Sequence, residues 1–427
     1  MKKKLSSVLL VIFTLIILSG CTNKEKNTGV VHISILNSKP EIQVALEDAT
    51  KEFSKENPNI KIKVVKYNRN ETYYNKLMSM YSYENAPTMT IGDPTHIKNI
   101  KNNLLDLSSE EWVKDVSGGI SNIAKNESGE VIGFPFATEG VGFIYNKKVI
   151  EEAGIDVSSI NTIKSLEEAF KKVEAIGKKG VIVTNEKWSL GDHFLSTAYS
   201  AQSKDTNDII EYIENVKKGT LNVKDNAKLN GLLDTFDLMK KYNIYKDEPL
   251  TPSYDKCAEV LGKGDVGFWY MGNWASKSIL DSSKDNKDYG FIPVPISNDS
   301  SEYGNNEITL GVTKYIVVDK SNSSKEQQDA AKKFLNWVVY TKEGQEFVVN
   351  KSGIISAFAN NEIKQADPLA NDIMKYKEKE KAMELMNSYL PENNSENVGV
   401  ALRKYLSSEI DRNQLLNIIQ EYWENQK

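Results

Sequence analysis

Short apolar runs alternate with segments of helical period from the first part of the chain onward. Val31–Leu36 is an apolar run bounded by turn residues, which predicts a buried strand. Between Glu41 and Asn57 the apolar residues recur every three or four positions, which predicts a helix that ends before Pro58. Ile60–Val65 predicts the next strand. A strand, a helix and a second strand in this order indicate a βαβ unit and a mainly parallel sheet.

The same alternation continues along the chain and predicts an α/β protein. Ser165 with Glu168 three residues later forms a capping-box pattern, which predicts the start of one helix. From Lys325 the pattern is helical over most of the remaining length. A chain of 427 residues is longer than one hydrophobic core usually serves, so two domains are expected. The other predicted strands are Thr88–Ile91, Gly142–Tyr145, Val181–Val183 and Val266–Tyr270, and the other predicted helices are Tyr73–Tyr83 and Lys147–Ala153.

The N-terminus carries a targeting pattern. Three lysines at positions 2–4 precede an apolar run of eleven residues, Val8–Leu18, and Leu-Ser-Gly-Cys closes this segment at Cys21. The run is too short to cross about 30 Å of hydrocarbon, for which about 20 residues are needed. The pattern resembles a bacterial lipobox, in which the cysteine is acylated before cleavage. We therefore expect a lipoprotein signal peptide at 1–20, a lipid on Cys21, a tether at 21–29, and a lipid-anchored protein on the extracytoplasmic face of the cell membrane.

Charge and rare residue types exclude some ligand classes. The net charge is −5, and removal of residues 1–20 with their three lysines leaves about −8, which argues against a nucleic-acid partner. Only three of the 54 basic residues are arginine, which weakly disfavours an anionic ligand. Three widely spaced histidines predict no transition-metal site. Besides Cys21 the chain has only Cys257, which we interpret as a buried apolar side chain.

Signatures of common enzymes are missing from the sequence. It has no GxSxG, HExxH, Walker or dinucleotide-binding pattern in a fitting context, so we predict neither an enzyme nor a cofactor. Carboxylates are abundant, however, and a glycosidase with a pair of them stays open at this point.

Five segments, taken in chain order, resemble one protein family. They are FSKENPNIKI at 53–62, FPFATEG at 134–140 with YNK at 145–147, GDVGFWYMGNW at 264–274, YGFIPVP at 289–295, and AKKFL at 331–335 with EGQ at 343–345. The family is the carbohydrate-type solute-binding proteins of ABC importers, which are akin to the maltodextrin-binding protein. The resemblance spans nearly all of the chain after the targeting segment.

The resemblance implies a fold of two α/β lobes with a ligand cleft between them, of the type II periplasmic-binding-protein class. The chain is expected to cross between the lobes near Ala137–Thr138, Gly311–Val312 and Ser352–Gly353. This gives an N-terminal lobe of residues 30–137 and 313–352, and a C-terminal lobe of residues 138–312 and 353–427. A cleft at the carboxyl ends of strands also agrees with the general rule for open α/β sheets.

The function implied by the resemblance is capture of a solute outside the membrane. A sugar or oligosaccharide would be bound by a monomer and delivered to permease subunits that work with a separate ATPase. Three alternatives stay open. The same fold could bind a peptide, a polyol or a glycerol phosphoester; the protein could be a surface glycosidase; or it could sense the ligand for a membrane receptor.

Sugar sites need aromatic plates for the C–H faces and polar groups for the hydroxyls. The family places a stacking aromatic after the sixth predicted strand, which indicates Trp274, with Asn273 beside it. Glu139 lies at the first crossover, either as an acceptor for sugar hydroxyls or as a hinge residue that caps backbone amides. Asp93 follows a strand, which favours a ligand contact, although Gly-Asp-Pro is also an ordinary turn sequence.

Further candidates lie in predicted turns and loops. Trp188 follows a strand in a polar loop, as a ligand contact or as a cover over the core. Ser38, Lys39 and Glu41 form the first strand-to-helix turn, where they either contact ligand or cap the helix. Asn397 lies in the C-terminal segment where the family often adds a late contact.

Overall fold

The computed structural model describes residues 29–66, 72–117, 125–283 and 286–426. The predicted signal peptide, the lipidation site Cys21 and almost all of the tether lie outside these ranges. Within them, no helix combines the length and the apolar character needed to span a bilayer.

Nine strands of the described residues form one mixed sheet with the order β2-β1-β3-β8-β4-β6-β5, in which β7 also pairs with β4 and β9 with β8. β2 and β3 pair parallel with β1, and β5 pairs parallel with β6. All pairs that β4 makes are antiparallel, and so is the pair between β3 and β8. The strands are β1 (Val31–Leu36), β2 (Ile60–Val65), β3 (Met89–Gly92), β4 (Phe134–Asn146), β5 (Lys179–Ile182), β6 (Val266–Gly272), β7 (Tyr289–Ile292), β8 (Ile308–Val318) and β9 (Ala382–Glu384).

Helices cover the faces of the sheet, and many begin at a side chain that caps free backbone amides. Asn146 and Ser253 accept from backbone amides in this way, and Ser324 forms a full capping box with Gln327. The α-helices are α1 (Gln43–Glu56), α2 (Tyr73–Ser82), α3 (Pro94–Ile100), α4 (Lys147–Glu152), α5 (Ile163–Ala175), α6 (Leu195–Ser200), α7 (Thr206–Lys217), α8 (Ala227–Tyr242), α9 (Tyr254–Lys263), α10 (Ser276–Ser282), α11 (Lys325–Tyr340), α12 (Lys342–Glu346), α13 (Pro368–Glu378), α14 (Val400–Leu406) and α15 (Arg412–Glu424).

Two strands, β4 and β8, are long because they connect the two halves of the molecule, and we call them the hinge strands. β4 has 13 residues and β8 has 11. They pair antiparallel from Phe134 to Val141 on β4, with a register shift around Ala137 and Thr138. Such a shift bends a strand at the point where it leaves one unit for the other.

Buried apolar side chains form two groups on either side of the hinge strands. One group draws on residues 33–137 and 312–354, and the other on residues 141–308 and 355–423. We call the parts of the molecule around these groups the N-terminal lobe and the C-terminal lobe. Each lobe thus has its own hydrophobic core, which allows the two to move as units about the strands between them.

Several sequence predictions need correction. The sheet is not mainly parallel, because the hinge strands bring antiparallel pairs into its centre. The capping box joins Thr162 and Ser165, so the helix begins one turn earlier than the Ser165–Glu168 pattern predicts. Trp188 lies at the start of a helical segment that continues as a π-helix over Ser189–Phe194, and not in a loop. Cys257 is fully buried, as predicted.

Candidate functional site

The candidate site lies where strands of the two lobes end and face each other. In the N-terminal lobe, β1 ends before Lys39 and β3 ends before Asp93. In the C-terminal lobe, β5 precedes Trp188 and β6 ends immediately before the turn that carries Trp274. Carboxyl ends of parallel strands are where ligands bind in open α/β sheets. We call the space between these ends the cleft.

A buried ion network forms the part of the cleft next to the hinge strands. The Lys39 ammonium lies 2.7 Å from a carboxylate oxygen of Glu139 and 2.7 Å from one of Glu41. Thr313 on β8 donates a hydrogen bond to the second oxygen of Glu139. The side chains of Lys39 and Glu139 are only 4% and 3% exposed. Burial alone would lower the pKa of Lys39, but the two carboxylates outweigh it and hold this pKa above its ordinary value.

A second ion pair continues the polar floor of the cleft. Lys314, the neighbour of Thr313, pairs with Asp93, and a ring nitrogen of His96 lies 3.3 Å from the same carboxylate. Burial opposes ionisation of Asp93, yet the Lys314 ammonium and the neighbouring His96 ring prevail, so the pKa of Asp93 lies well below its ordinary value. Asp93 stands at the N-cap of α3 but its side chain makes no capping hydrogen bond. The carboxylate therefore serves the cleft and not the turn.

Aromatic rings of the C-terminal lobe cover the opposite side of the cleft. The ring centroids of Trp188 and Trp274 are 6.1 Å apart, and the two planes meet at 54°. His193 lies 5.3 Å from Trp274 and 5.5 Å from Trp188, and Tyr254 lies 6.4 Å from Trp188. A glycine is needed at position 272, because a Cβ there would lie 2.0 Å from the indole of Trp274. Both indoles are half-buried, so each retains an accessible part.

Two residues of the C-terminal lobe, His193 and Asp192, have pKa values that are shifted in part by charges of the N-terminal lobe. His193 lies close enough to Lys314 and Asp93 for both charges to act on its pKa. Asp192 likewise interacts with Asp93 and His96 of the N-terminal lobe. The carboxylate of Asp192 accepts hydrogen bonds from Asn394, at 2.7 Å, and from Ser395. Aromatic and acidic groups of one lobe therefore face the ion pairs of the other.

Most of the residues nominated from sequence come together in this cleft. Glu41, Asp93, Trp188 and Trp274 line it, whereas Lys39 and Glu139 lie beneath its surface, with side chains only 4% and 3% exposed. The hydroxyl of Ser38 is buried and, within the described residues, has no hydrogen-bond partner, and the same holds for the hydroxyl of Thr138. Ser38 lies between β1 and Lys39, so its hydroxyl is suited to meet a polar ligand in the cleft, because a buried hydroxyl without a partner is costly.

Two nominated asparagines are placed differently. The Asn273 side chain accepts a hydrogen bond from the Gly140 amide at 2.9 Å and donates one to the Gly353 carbonyl at 3.5 Å. It thus ties a hinge strand to the last crossover segment. Asn397 is exposed and donates to the Asn393 carbonyl, while Asn394, three residues earlier, is the buried residue that holds Asp192.

Sequence reasoning missed the groups that become neighbours only on folding. Thr313 and Lys314 lie on the returning hinge strand, and Asp192 and His193 lie on a π-helical turn after Trp188. Tyr254 begins α9 far along the chain from its ring neighbours. A signal was present for Asp192 and His193, since two adjacent titratable residues follow Trp188 by only four and five positions.

Acid is expected to destabilise the folded protein through His193. Burial and the charge of Lys314 lower the pKa of His193 from 6.5 to about 4, so the folded state binds fewer protons than the unfolded state between these values. The free energy of unfolding therefore falls as pH drops from about 6.5 to 4, by at most about 3 kcal/mol from this group. His193→Gln should remove this loss, measured as the melting temperature of the variant minus that of the wild type at pH 7.5 and 4.5.

Asp192 provides the control of opposite sign. Burial raises its pKa from 3.8 to about 6, so this carboxyl stabilises the folded state as pH falls from about 6 to 4. In the wild type the two effects oppose each other. Asp192→Asn should therefore make acid more destabilising, while His193→Gln makes it less so. Equal acid sensitivity of the two variants would contradict the opposite pKa shifts that we assign to His193 and Asp192.

The fold and the cleft together define a two-lobe α/β binding protein. The chain matches the family described as bacterial extracellular solute-binding protein over residues 48–375. That match covers most of its length, so the protein belongs to the bacterial extracellular solute-binding proteins.

Two curated relatives match parts of the chain at low sequence identity. An arabinooligosaccharide-binding protein of Halalkalibacterium halodurans is 24% identical over 308 residues, which are 70% of this chain and 65% of the relative. An uncharacterized ABC transporter extracellular-binding protein of Pyrococcus horikoshii is 28% identical over 157 residues, which are 35% of this chain and 33% of the relative. The chain thus matches less than two thirds of either relative.

Solved structures share the fold over nearly the whole chain. RafE in complex with raffinose gives a TM-score of 0.74 at 20% identity and covers 93% of this chain and 99% of its own. A chitin oligosaccharide binding protein gives 0.75 at 17% identity, with 92% and 98% covered. These similarities establish the two-lobe architecture.

Proposed function

We propose that this protein is the solute-binding component of an ABC importer and that it captures a sugar or oligosaccharide in the cleft. The observation that carries the proposal is the pairing of two accessible indoles, Trp188 and Trp274, with a floor of carboxylates and hydroxyls from the other lobe. An arabinooligosaccharide-binding protein, RafE in complex with raffinose and a chitin oligosaccharide binding protein, all similar to this chain, support the same class of solute.

Each group of the cleft has a part in this proposal. The indoles stack on the apolar C–H faces of sugar rings. The carboxylates of Glu41 and Asp192 accept hydrogen bonds from sugar hydroxyls, and Ser38 and Thr138 offer hydroxyl groups that have no partner in the described structure. Glu139 and Asp93 also present carboxylates, whose orientation is fixed by Lys39 and Lys314.

Capture is completed by closure of the lobes about the hinge strands. We propose lobe boundaries at residues 137/138, 312/313 and 352/353, and the division of the buried apolar side chains into two groups within two residues of these positions supports them. A ligand that touches both lobes favours the closed form by its differential affinity, and a permease can then distinguish loaded from empty protein. Asn273 acts in this proposal as a positioning residue of the hinge.

A glycosidase is the second candidate function, because the raised pKa of Asp192 and the lowered pKa of Asp93 are the pattern of an acid and a base pair. We favour binding without turnover, because the family that the chain matches over residues 48–375 is one of solute-binding proteins.

A thermal-shift screen of the purified protein tests the proposed solute class. The panel contains mono-, di- and oligosaccharides, amino acids, peptides, polyols and phosphoesters. A ligand that binds only the folded state raises the melting temperature by mass action. We expect a sugar to give this shift without release of product, as followed by chromatography. A shift from a peptide or phosphoester with silence from all sugars would overturn the specificity, and product release would favour the glycosidase.

We also propose that the protein is anchored through a lipid on Cys21, outside the described residues, and works as a monomer on the extracytoplasmic face of the membrane. Cys21→Ser should abolish incorporation of labelled fatty acid and release the protein from the membrane fraction. Persistent labelling of the variant would contradict the lipobox prediction.

A further inference from the structure

Three lysines that lie next to the candidate residues of the cleft, Lys39, Lys314 and Lys187, are paired with carboxylates. Lys39 lies between Glu41 and Glu139, each at 2.7 Å, and Lys314 is paired with Asp93. At the rim beside Trp188, the Lys187 ammonium lies 2.5 Å from Glu396. An anionic ligand would therefore have to break an existing ion pair in order to obtain a cation, and for the Lys39 pair that cost is high because both partners are buried.

Negative charge is in excess in the same space. Glu41, Glu139, Asp93 and Asp192 supply four carboxylates to the cleft, against the two ammonium groups of Lys39 and Lys314. A cleft with low-dielectric walls concentrates the field of such an imbalance. Like charges that are brought together in an interface repel each other and weaken binding. A carboxylate or phosphate on the ligand would meet this repulsion on closure.

The helix N-terminus at the cleft does not offer an anion a substitute for an unpaired lysine. The helix α3 begins at the cleft, where its free amides would attract an anion. Its N-cap is Asp93, whose own carboxylate already stands there and is paired with Lys314. Neutral hydroxyl groups, in contrast, can donate to the more exposed carboxylates, such as that of Glu41, without breaking an ion pair.

We infer that the cleft takes uncharged saccharides and rejects saccharides that bear a carboxylate or a phosphate. This inference rests on the proposed function and narrows its substrate class. The excess of carboxylates favours ligands that donate hydrogen bonds from hydroxyl groups, and the indoles favour sugar rings. Lys39 and Lys314 are already paired with carboxylates, so neither can neutralise an acidic ligand without breaking its own pair.

Matched pairs of sugars test the inference on the full-length protein by calorimetry. The pairs are galactotriose with trigalacturonate, maltose with maltose 6′-phosphate, and xylotriose with its glucuronic-acid-substituted form. For every neutral sugar that binds, we expect its acidic partner to bind at least tenfold more weakly in 20 mM salt. The ratio of the affinity for the neutral sugar to that for the acidic sugar should decrease in 0.5 M salt. At this salt concentration the Debye length falls to a few ångströms, so the repulsion is screened.

Variants that remove one negative charge test whether the carboxylates of the cleft cause the difference in affinity between neutral and acidic sugars. Glu41→Gln leaves the Lys39–Glu139 pair in place and removes one carboxylate, so it should reduce the neutral-to-acidic ratio about threefold or more. Glu56→Gln removes the same charge from the exposed far end of α1 and should leave the ratio unchanged. An acidic sugar that binds as tightly as its neutral partner would overturn the inference while the proposed function stands. Silence from all sugars, with a peptide or polyol bound, would overturn the proposed function itself.

Discussion

Replacement of Lys39 by methionine is expected to destabilise the folded protein by about 3–5 kcal/mol. The variant keeps a side chain of similar length but leaves Glu139, only 3% exposed, without its ammonium partner. Removal of one member of a buried ion pair has a cost of this size because the remaining charge stays desolvated. Chemical denaturation at pH 7.5, followed by circular dichroism, measures the free energy of unfolding of the variant and of the wild type.

Two further variants identify the cause of this loss. Lys39→Met combined with Glu139→Leu should recover at least half of it, because no unpaired buried charge remains. Lys51→Met removes a lysine from α1 that pairs with Asp48 at 2.8 Å but is 71% exposed, and it should cost less than about 1 kcal/mol. A Lys39→Met variant as stable as Lys51→Met would show that the pair is not buried in solution.

Trp274→Ala is expected to weaken sugar binding at least tenfold. Stacking of a flat ring on an aromatic side chain contributes about 1–3 kcal/mol in comparable sites, and 1.4 kcal/mol corresponds to a factor of ten in affinity. The affinity is measured by calorimetry with the sugar that gives the largest shift in the thermal screen. Unchanged affinity would remove Trp274 from the binding site.

Two control variants show whether Trp274→Ala loses affinity because stacking is lost or because the fold is disturbed. Trp274→Phe keeps an aromatic plate at the end of β6 and should lose less affinity than the alanine variant. Tyr83→Ala removes an aromatic ring that is 81% exposed and lies outside the cleft, so it should bind as the wild type does. The melting temperature of each ligand-free variant is measured beside its affinity, so that a loss of fold is recognised.

Local elements of the fold were predictable because their signals are local. β1 and β2 have the predicted bounds, Val31–Leu36 and Ile60–Val65, since a short apolar run between turn residues has one favourable way to be buried. The helix between them is also present, as Gln43–Glu56. The family resemblance, carried by five dispersed motifs, is confirmed by the match over residues 48–375.

Pairing between strands was not predictable to the same degree. Only the end of β4 was predicted, as Gly142–Tyr145, whereas the strand begins at Phe134. Its first half is held by hydrogen bonds to β8, more than 170 residues away in the chain. The same long-range pairs make the sheet mixed. Periodicity describes which residues are buried, but it does not say which strand lies beside which.

The sequence by itself determined the places of β1 to β6, the division into two α/β lobes through its family motifs, and a set of polar and aromatic residues at strand ends. Only the tertiary structure decided their partners. Lys39 meets Glu139 across 100 residues of chain, and Lys314 meets Asp93 across 221. Residue type and position after a strand are local properties, whereas neutralisation of a charge and contact between rings depend on distances that exist only after the lobes have folded and approached each other.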